Sequence, residues 1–221
     1  MVSPGPATLR IDGARPLTPD VVAEVNAACD AAVQHGMLVV HVTGAPGDGW
    51  LSGVTVASVS KWERALRALE RLPLPTLAIA RGDCGGLALD AFLAADHRVA
   101  IGRPRLVLPV SAGATWPGMA LYRLAQHGGG AAAVRRAALF GTPIGLEDAL
   151  AAHLIDAVAA DEEEAVAVAG RYGAGIAGPE LAIRRQLLLE APTVGFEEAL
   201  GVHLSACERA LRRTTAEGST S

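Results

Sequence analysis

The sequence predicts a single-domain α/β fold, and three observations carry that expectation. Its 221 residues are about one ordinary domain, enough to bury a substantial core. Hydrophobic residues make up 51% but aromatics only 4%, so the core must be Ala, Val and Leu, which suits helices packed closely on a sheet. The third is a strand-like run, Thr76–Ala80, that passes through the turn Arg81-Gly82-Asp83-Cys84-Gly85-Gly86 into a helical stretch, Leu87–Ala94.

The other elements follow along the chain. After a start expected to be flexible over 1–8, Leu9–Asp12 reads as a short strand. Thr18-Pro19-Asp20 reads as N-cap, first helical residue and acidic first turn of a helix running to about Gln34. Met37–Val42 is a compact apolar run rich in β-branched residues, hence a buried strand, and Gly44–Gly49 is a loop by composition. Between Val59 and Leu72, apolar residues recur at Trp62, Leu66, Leu69 and Leu72, one face of a helix that Pro73 and Pro75 end. Val99–Ile101 and Leu106–Leu108 are brief strands, and Trp116-Pro117-Gly118 opens a helical second half. There, helices are expected over Leu146–Ala152, Glu162–Tyr172, Glu180–Leu189 and Phe196–Arg212, with Leu154–Val158 extended. The domain spans 9–213, with its core to about 140 and a helical region after; 214–221 reads as a flexible tail.

Several function classes lack support. A net charge of −4 without a Lys/Arg-dense run gives no footprint for nucleic acid. No stretch approaches the roughly 18 apolar residues of a membrane helix, and Met1–Arg10 has no signal-peptide core, so a soluble cytoplasmic protein is expected. Cys29, Cys84 and Cys207 are odd in number and widely spaced, as reduced thiols are, and the histidines lack metal-ligand spacing, so no metal is expected. No Gly-x-Ser-x-Gly elbow or Gly-Lys-Ser/Thr loop occurs.

The glycine turn and its surroundings resemble the crotonase, or enoyl-CoA hydratase/isomerase, superfamily. Trp50-Leu51-Ser52-Gly53-Val54 is similar to the family's aromatic-x-x-Gly-Ala segment, and Leu74-Pro75-Thr76-Leu77-Ala78-Ile79-Ala80-Arg81-Gly82 to its K-P-V-I-A-A-V-N-G. Asp96 falls where the family places an aspartate before a strand. Gly141-Thr142-Pro143-Ile144 and Asp148-Ala149-Leu150 to Leu154-Ile155-Asp156 resemble its T-G-x-x-I-x-A-x-x-A-x-x-x-G-L-V region. The runs Lys61–Leu66 and Gly113–Tyr122 look like the dehydratase-type member of 3,5-dihydroxyphenylglycine biosynthesis, which works beside a type III polyketide synthase.

The resemblance implies an α/β crotonase-like ββα spiral with a C-terminal helical association region, acting on an acyl-coenzyme A thioester that is substrate rather than cofactor. Such chemistry stabilises an enolate with fixed dipoles aimed at the developing oxyanion. Carried over residue by residue, the two N–H donors are those of Val54, after Gly53, and Leu87, after Gly85-Gly86; Gly53, Gly86 and Trp116 are the substrate-binding candidates. The alternative for Gly85-Gly86 is only a tight helix start, and for Trp116 a core or subunit contact.

Asp90, about one helical turn after Leu87, is the leading acid/base, because a carboxylate in Leu87-Ala88-Leu89-Asp90-Ala91-Phe92-Leu93 breaks an apolar helix at a cost. Its alternative is a structural carboxylate. The family's second glutamate falls near Val110, which transfers no proton, unless an acid such as Asp83 substitutes. Asp83 otherwise reads as a turn residue, Cys84 as an inert buried thiol and Asp96 as structural. Arg10, Arg15 and Arg81 are candidates by position for coenzyme A phosphates. The stripe Phe196, Leu200, Leu204, Cys207 and Leu211 predicts self-association, the family resemblance implies a homotrimer or hexamer, and a neighbouring subunit or another protein is expected to cover the site. The expected function is dehydration of a polyketide thioester toward 3,5-dihydroxyphenylacetyl-CoA. The alternatives are a general enoyl-CoA hydratase/isomerase and a non-catalytic accessory binder of the synthase.

Overall fold

The computed structural model describes residues 5–173 and 178–218. Five parallel strands form the main sheet, in the order β1 (Ala7–Asp12), β2 (Leu38–Gly44), β3 (Thr76–Gly85), β4 (His97–Val107) and, from later in the chain, β7 (Ala157–Ala159). The connections are helical, as parallel neighbours require: α1 (Pro19–Ala32), α2 (Val56–Glu70) and α3 (Leu87–Leu93).

Alternation along the strands divides the core in two. Leu9, Val40, Ala78 and Ala100 belong with α1, α2 and α3, while Val39, Leu77, Ile79 and Val99 on the opposite face pack with Ala165 and Ala169 of α7 (Glu162–Gly173). The stripe read on α2 is buried as its spacing requires, with Trp62 2% exposed and Leu66 and Leu69 fully enclosed. Thr55 and Ser58 close a capping box at its start.

The structure corrects several boundaries. Arg81–Gly85 is not a turn but the second half of β3: the register shifts between Arg81 and Asp83, and the ladder resumes as Asp83↔Arg105, Cys84↔Leu106 and Gly85↔Val107. By the same pairing the two brief strands near 99 and 106 are one, β4, with Gly102 at φ +74 between them. Leucine-to-valine periodicity does not reveal such a bulge, because the interrupting residues are polar. At the ends, β1 begins at Ala7, whose N–H bonds to Met37 O, and α9 (Phe196–Gly218) continues past Arg212 because no helix breaker stands before Gly218. Residues 1–4 and 219–221 of the ends expected to be flexible lie outside the described residues.

The remaining elements are a hairpin of β5 (Val110–Ser111) with β6 (Ala114–Thr115), then α4 (Met119–Gly128), α5 (Ala132–Phe140), α6 (Leu146–Ala151) and α8 (Pro179–Glu190). Helix α8 has no buried residue of its own. Arg185 fixes it instead: the guanidinium donates to Glu70 O, Leu72 O and Leu74 O and pairs with Asp96, which also accepts from the backbone N and the Oγ1 of Thr76. Asp96 therefore has the structural place read for it.

Candidate active site

The site grows from the β3–α3 junction. Gly86 has φ +53 and ψ −127, and a Cβ there would lie 2.5 Å from Pro46 Cγ, so both backbone and space demand glycine. The chain thereby turns sharply, and Leu87 begins α3, where the first N–H groups of a helix have no intrahelical acceptor. Asp90 follows one turn later and faces a narrow cavity partly open to solvent. Val54, Glu63, Gly86, Leu87 and Trp116 share its wall. Trp116 meets Trp50 edge to face, with ring centroids 5.3 Å apart, so two indoles shape the cavity. Trp50 Nε1 is buried without a hydrogen-bond partner among the described residues.

Asp90 is held from three elements. Trp62 of α2 donates from Nε1 to Oδ2 at 3.0 Å. The N–H of Ala120, in the first turn of α4, also favours the carboxylate, and the Asp90 N–H bonds to Gly86 O at 3.0 Å. Burial nevertheless dominates: removal from water, then the negative charge of Glu63, push the Asp90 carboxyl up to about 7 against the weaker pull of Arg123, Trp62 and Ala120. A carboxyl poised there can give or take a proton at neutral pH.

The structure brings Val54, Leu87, Asp90, Gly86 and Trp116 to one cavity. Gly53 does not line it; at φ +76 it shapes the turn Leu51–Val54 instead. In that turn Val54 N–H donates to Leu51 O at 3.0 Å, so this donor already has an acceptor. Val110 lies on β5, 53% exposed and away from the cavity wall, and Asp83 is tied bidentately to Arg105 at 2.7 and 2.8 Å. Neither serves as a second proton carrier. Cys84 is fully enclosed, and burial followed by the Asp90 charge pushes its thiol up, which leaves it a poor nucleophile.

Sequence reasoning missed Glu63. It lines the cavity beside Asp90, and Arg123 of α4, itself 4% exposed, holds it at 3.0 Å while reaching Glu70 at 2.7 Å. The signal was present: Glu63 and Glu70 are seven residues apart, on one helical face bordering the buried stripe of α2. Arg10, Arg15 and Arg81 meet around a second groove with His41 and Glu162, and Arg15 lines both this groove and the cavity. Among the described residues, no group of three His, Cys, Asp or Glu is placed to hold a metal ion, and no helix is long and apolar enough to cross a membrane.

The fold is that of the crotonases. An enoyl-CoA hydratase/isomerase family protein of Silicibacter pomeroyi superposes with a TM-score of 0.74 over 93% of this chain and 95% of its own, at 20% identity. An enoyl-CoA hydratase/isomerase of Marinobacter aquaeolei gives 0.75 over 95% and 89%, at 16% identity. No family model matches the chain. A protein of Amycolatopsis orientalis named as an enoyl-CoA hydratase is 50% identical over 212 residues, which are 95% of this chain and 97% of that protein. The chain belongs to the enoyl-CoA hydratase/isomerase superfamily and is a hydratase/lyase-like enzyme.

Proposed function

We propose that this chain eliminates water from a β-hydroxy or β-keto-derived polyketide thioester of coenzyme A, assisting a type III polyketide synthase to form 3,5-dihydroxyphenylacetyl-CoA. The observation that carries the reading is Asp90, a carboxyl poised near neutrality on the wall of the cavity that Leu87 also lines. Elimination needs a group that protonates the departing hydroxyl, and aromatisation of the product supplies the driving force. The indoles of Trp50 and Trp116 offer apolar walls for an unsaturated acyl chain. The thioester oxygen would be met by Leu87 N–H and, once it displaces Leu51 O, by Val54 N–H. The groove of Arg10, Arg15 and Arg81, with Arg15 released from its pair with Glu24, would meet the anionic end of coenzyme A.

The experiment is synthase product formation with and without this chain, beside a direct dehydration assay on 3-hydroxyacyl-CoA. Dehydration by the chain alone is expected. The engaged Val54 N–H favours a second reading, an accessory binder of the synthase. In that case Asp90→Asn leaves enhancement of the synthase intact, and no dehydration occurs without it.

A further inference from the structure

We propose that Glu63 is the catalytic base that removes the α-proton of the thioester, with Asp90 as the acid that completes elimination. The inference rests on the acyl-CoA reading above and assigns its second proton carrier to α2 rather than to the hairpin at Val110. Both carboxyls line the same cavity, and among the described residues no other Asp or Glu does.

Charge pairing separates their roles. Glu63, Glu70 and Asp90 are served by two guanidiniums. Arg123 reaches Glu63 through Nη2 at 3.0 Å and Glu70 through Nε at 2.7 Å, and Arg67 meets Glu70 at 2.9 Å. Asp90 receives the neutral indole N–H of Trp62. Among the described residues, one carboxyl of the three therefore lacks a paired cation, and it is Asp90. Burial, the largest influence on Glu63, raises its carboxyl, as does Glu70, while Arg123 draws it back. The carboxyl that Arg123 pairs is therefore the base, and the carboxyl that only a neutral indole meets is the acid on the same wall.

The step balances with these two groups. The Glu63 carboxylate takes the α-proton, and the C–H electron pair becomes the enolate. As the carbonyl re-forms, that pair makes the Cα=Cβ bond, the Cβ–O bond breaks, and the leaving hydroxyl takes the Asp90 proton to depart as water. Glu63 then holds a proton and Asp90 lacks one; exchange with solvent restores both.

The roles are separable with butyryl-CoA in D₂O, which has no leaving group, so that α-deuteration reports the base alone. Glu63→Gln is expected to slow α-deuteration by about 10² to 10⁴-fold, Glu63→Asp to recover part of it, and Asp90→Asn to slow it clearly less than Glu63→Gln does while losing dehydration. Exchange in Glu63→Gln within threefold of the unsubstituted chain, or an equal loss in Asp90→Asn, overturns the assignment of Glu63 but leaves the acyl-CoA reading standing. Absence of exchange in the unsubstituted chain overturns both. Should Glu63→Gln lose its thermal transition, the Glu63→Asp protein decides. There a folded Glu63→Asp protein slowed in α-deuteration supports Glu63, whereas one within threefold of the unsubstituted chain overturns it.

Discussion

At Asp90 the cost of enclosing a charge and the use of a neutral carboxyl are the same physical fact. Folding raises this carboxyl to about 7, above its ordinary value of 3.8, so the native state binds a proton that the unfolded chain has lost. Its contribution to stability is therefore fully present below pH 4 and disappears as pH rises through 7. Asn carries no such charge. Asp90→Asn is expected to melt above the unsubstituted protein at pH 8, with a difference of the order of a few kcal/mol that shrinks toward pH 4; scanning calorimetry across that range checks the sign. His153 shows a different strain. It adopts φ +55, at the place where the resembling family motif carries glycine, and its carbonyl accepts from Arg98 Nη2. His153→Gly relieves a left-handed conformation costing about 1 kcal/mol, offset in part by glycine's unfolded-state entropy. A rise of about 1–3 °C in melting temperature is expected for a domain of this size.

Among the elements, α8 is fixed to the sheet side chiefly by one side chain. Since α8 buries none of its own residues, Arg185 carries its attachment, and Arg185→Met is expected to cost about 2–4 kcal/mol by stranding Asp96 and three carbonyl groups. Amide exchange should show α8 losing protection before the sheet; equal loss across the domain would mean that α8 is held otherwise. The elements differ in how plainly the sequence announced them. Helix α2 was legible because Trp62, Leu66 and Leu69 recur at helical spacing, and the β3–α3 junction because Gly85-Gly86 has few structural meanings. The second half of β3 was not, since Asp83, Cys84 and Gly85 pair with β4 only after a register shift at Gly82, which has φ +64. Asp90 was visible as a charge in an apolar helix. Glu63 was not, because an acid on the polar border of an amphipathic helix is ordinary until Arg123, sixty residues on, shows that it is enclosed.

For the molecule as a whole, the stripe foreseen on α9 is open to solvent in the single chain: Phe196 is 76% and Leu204 58% exposed. Apolar surface left open along a helix favours association, and the family resemblance makes a trimer the expected assembly. Sedimentation at micromolar concentration should give a species larger than one chain, shifted toward monomer by Phe196→Glu with Leu204→Glu; a monomer before substitution counts against assembly through α9. At the cavity walled by Leu87, Trp116 and Asp90, the proposed chemistry is elimination of water from an acyl-CoA with Asp90 moving a proton. Its most direct measurement is 3-hydroxyacyl-CoA dehydration by the unsubstituted chain and by Asp90→Asn, with a melt of each. A folded Asp90→Asn protein slowed by about 10² to 10⁴-fold is the expected result, and full activity in a folded Asp90→Asn protein would contradict the account.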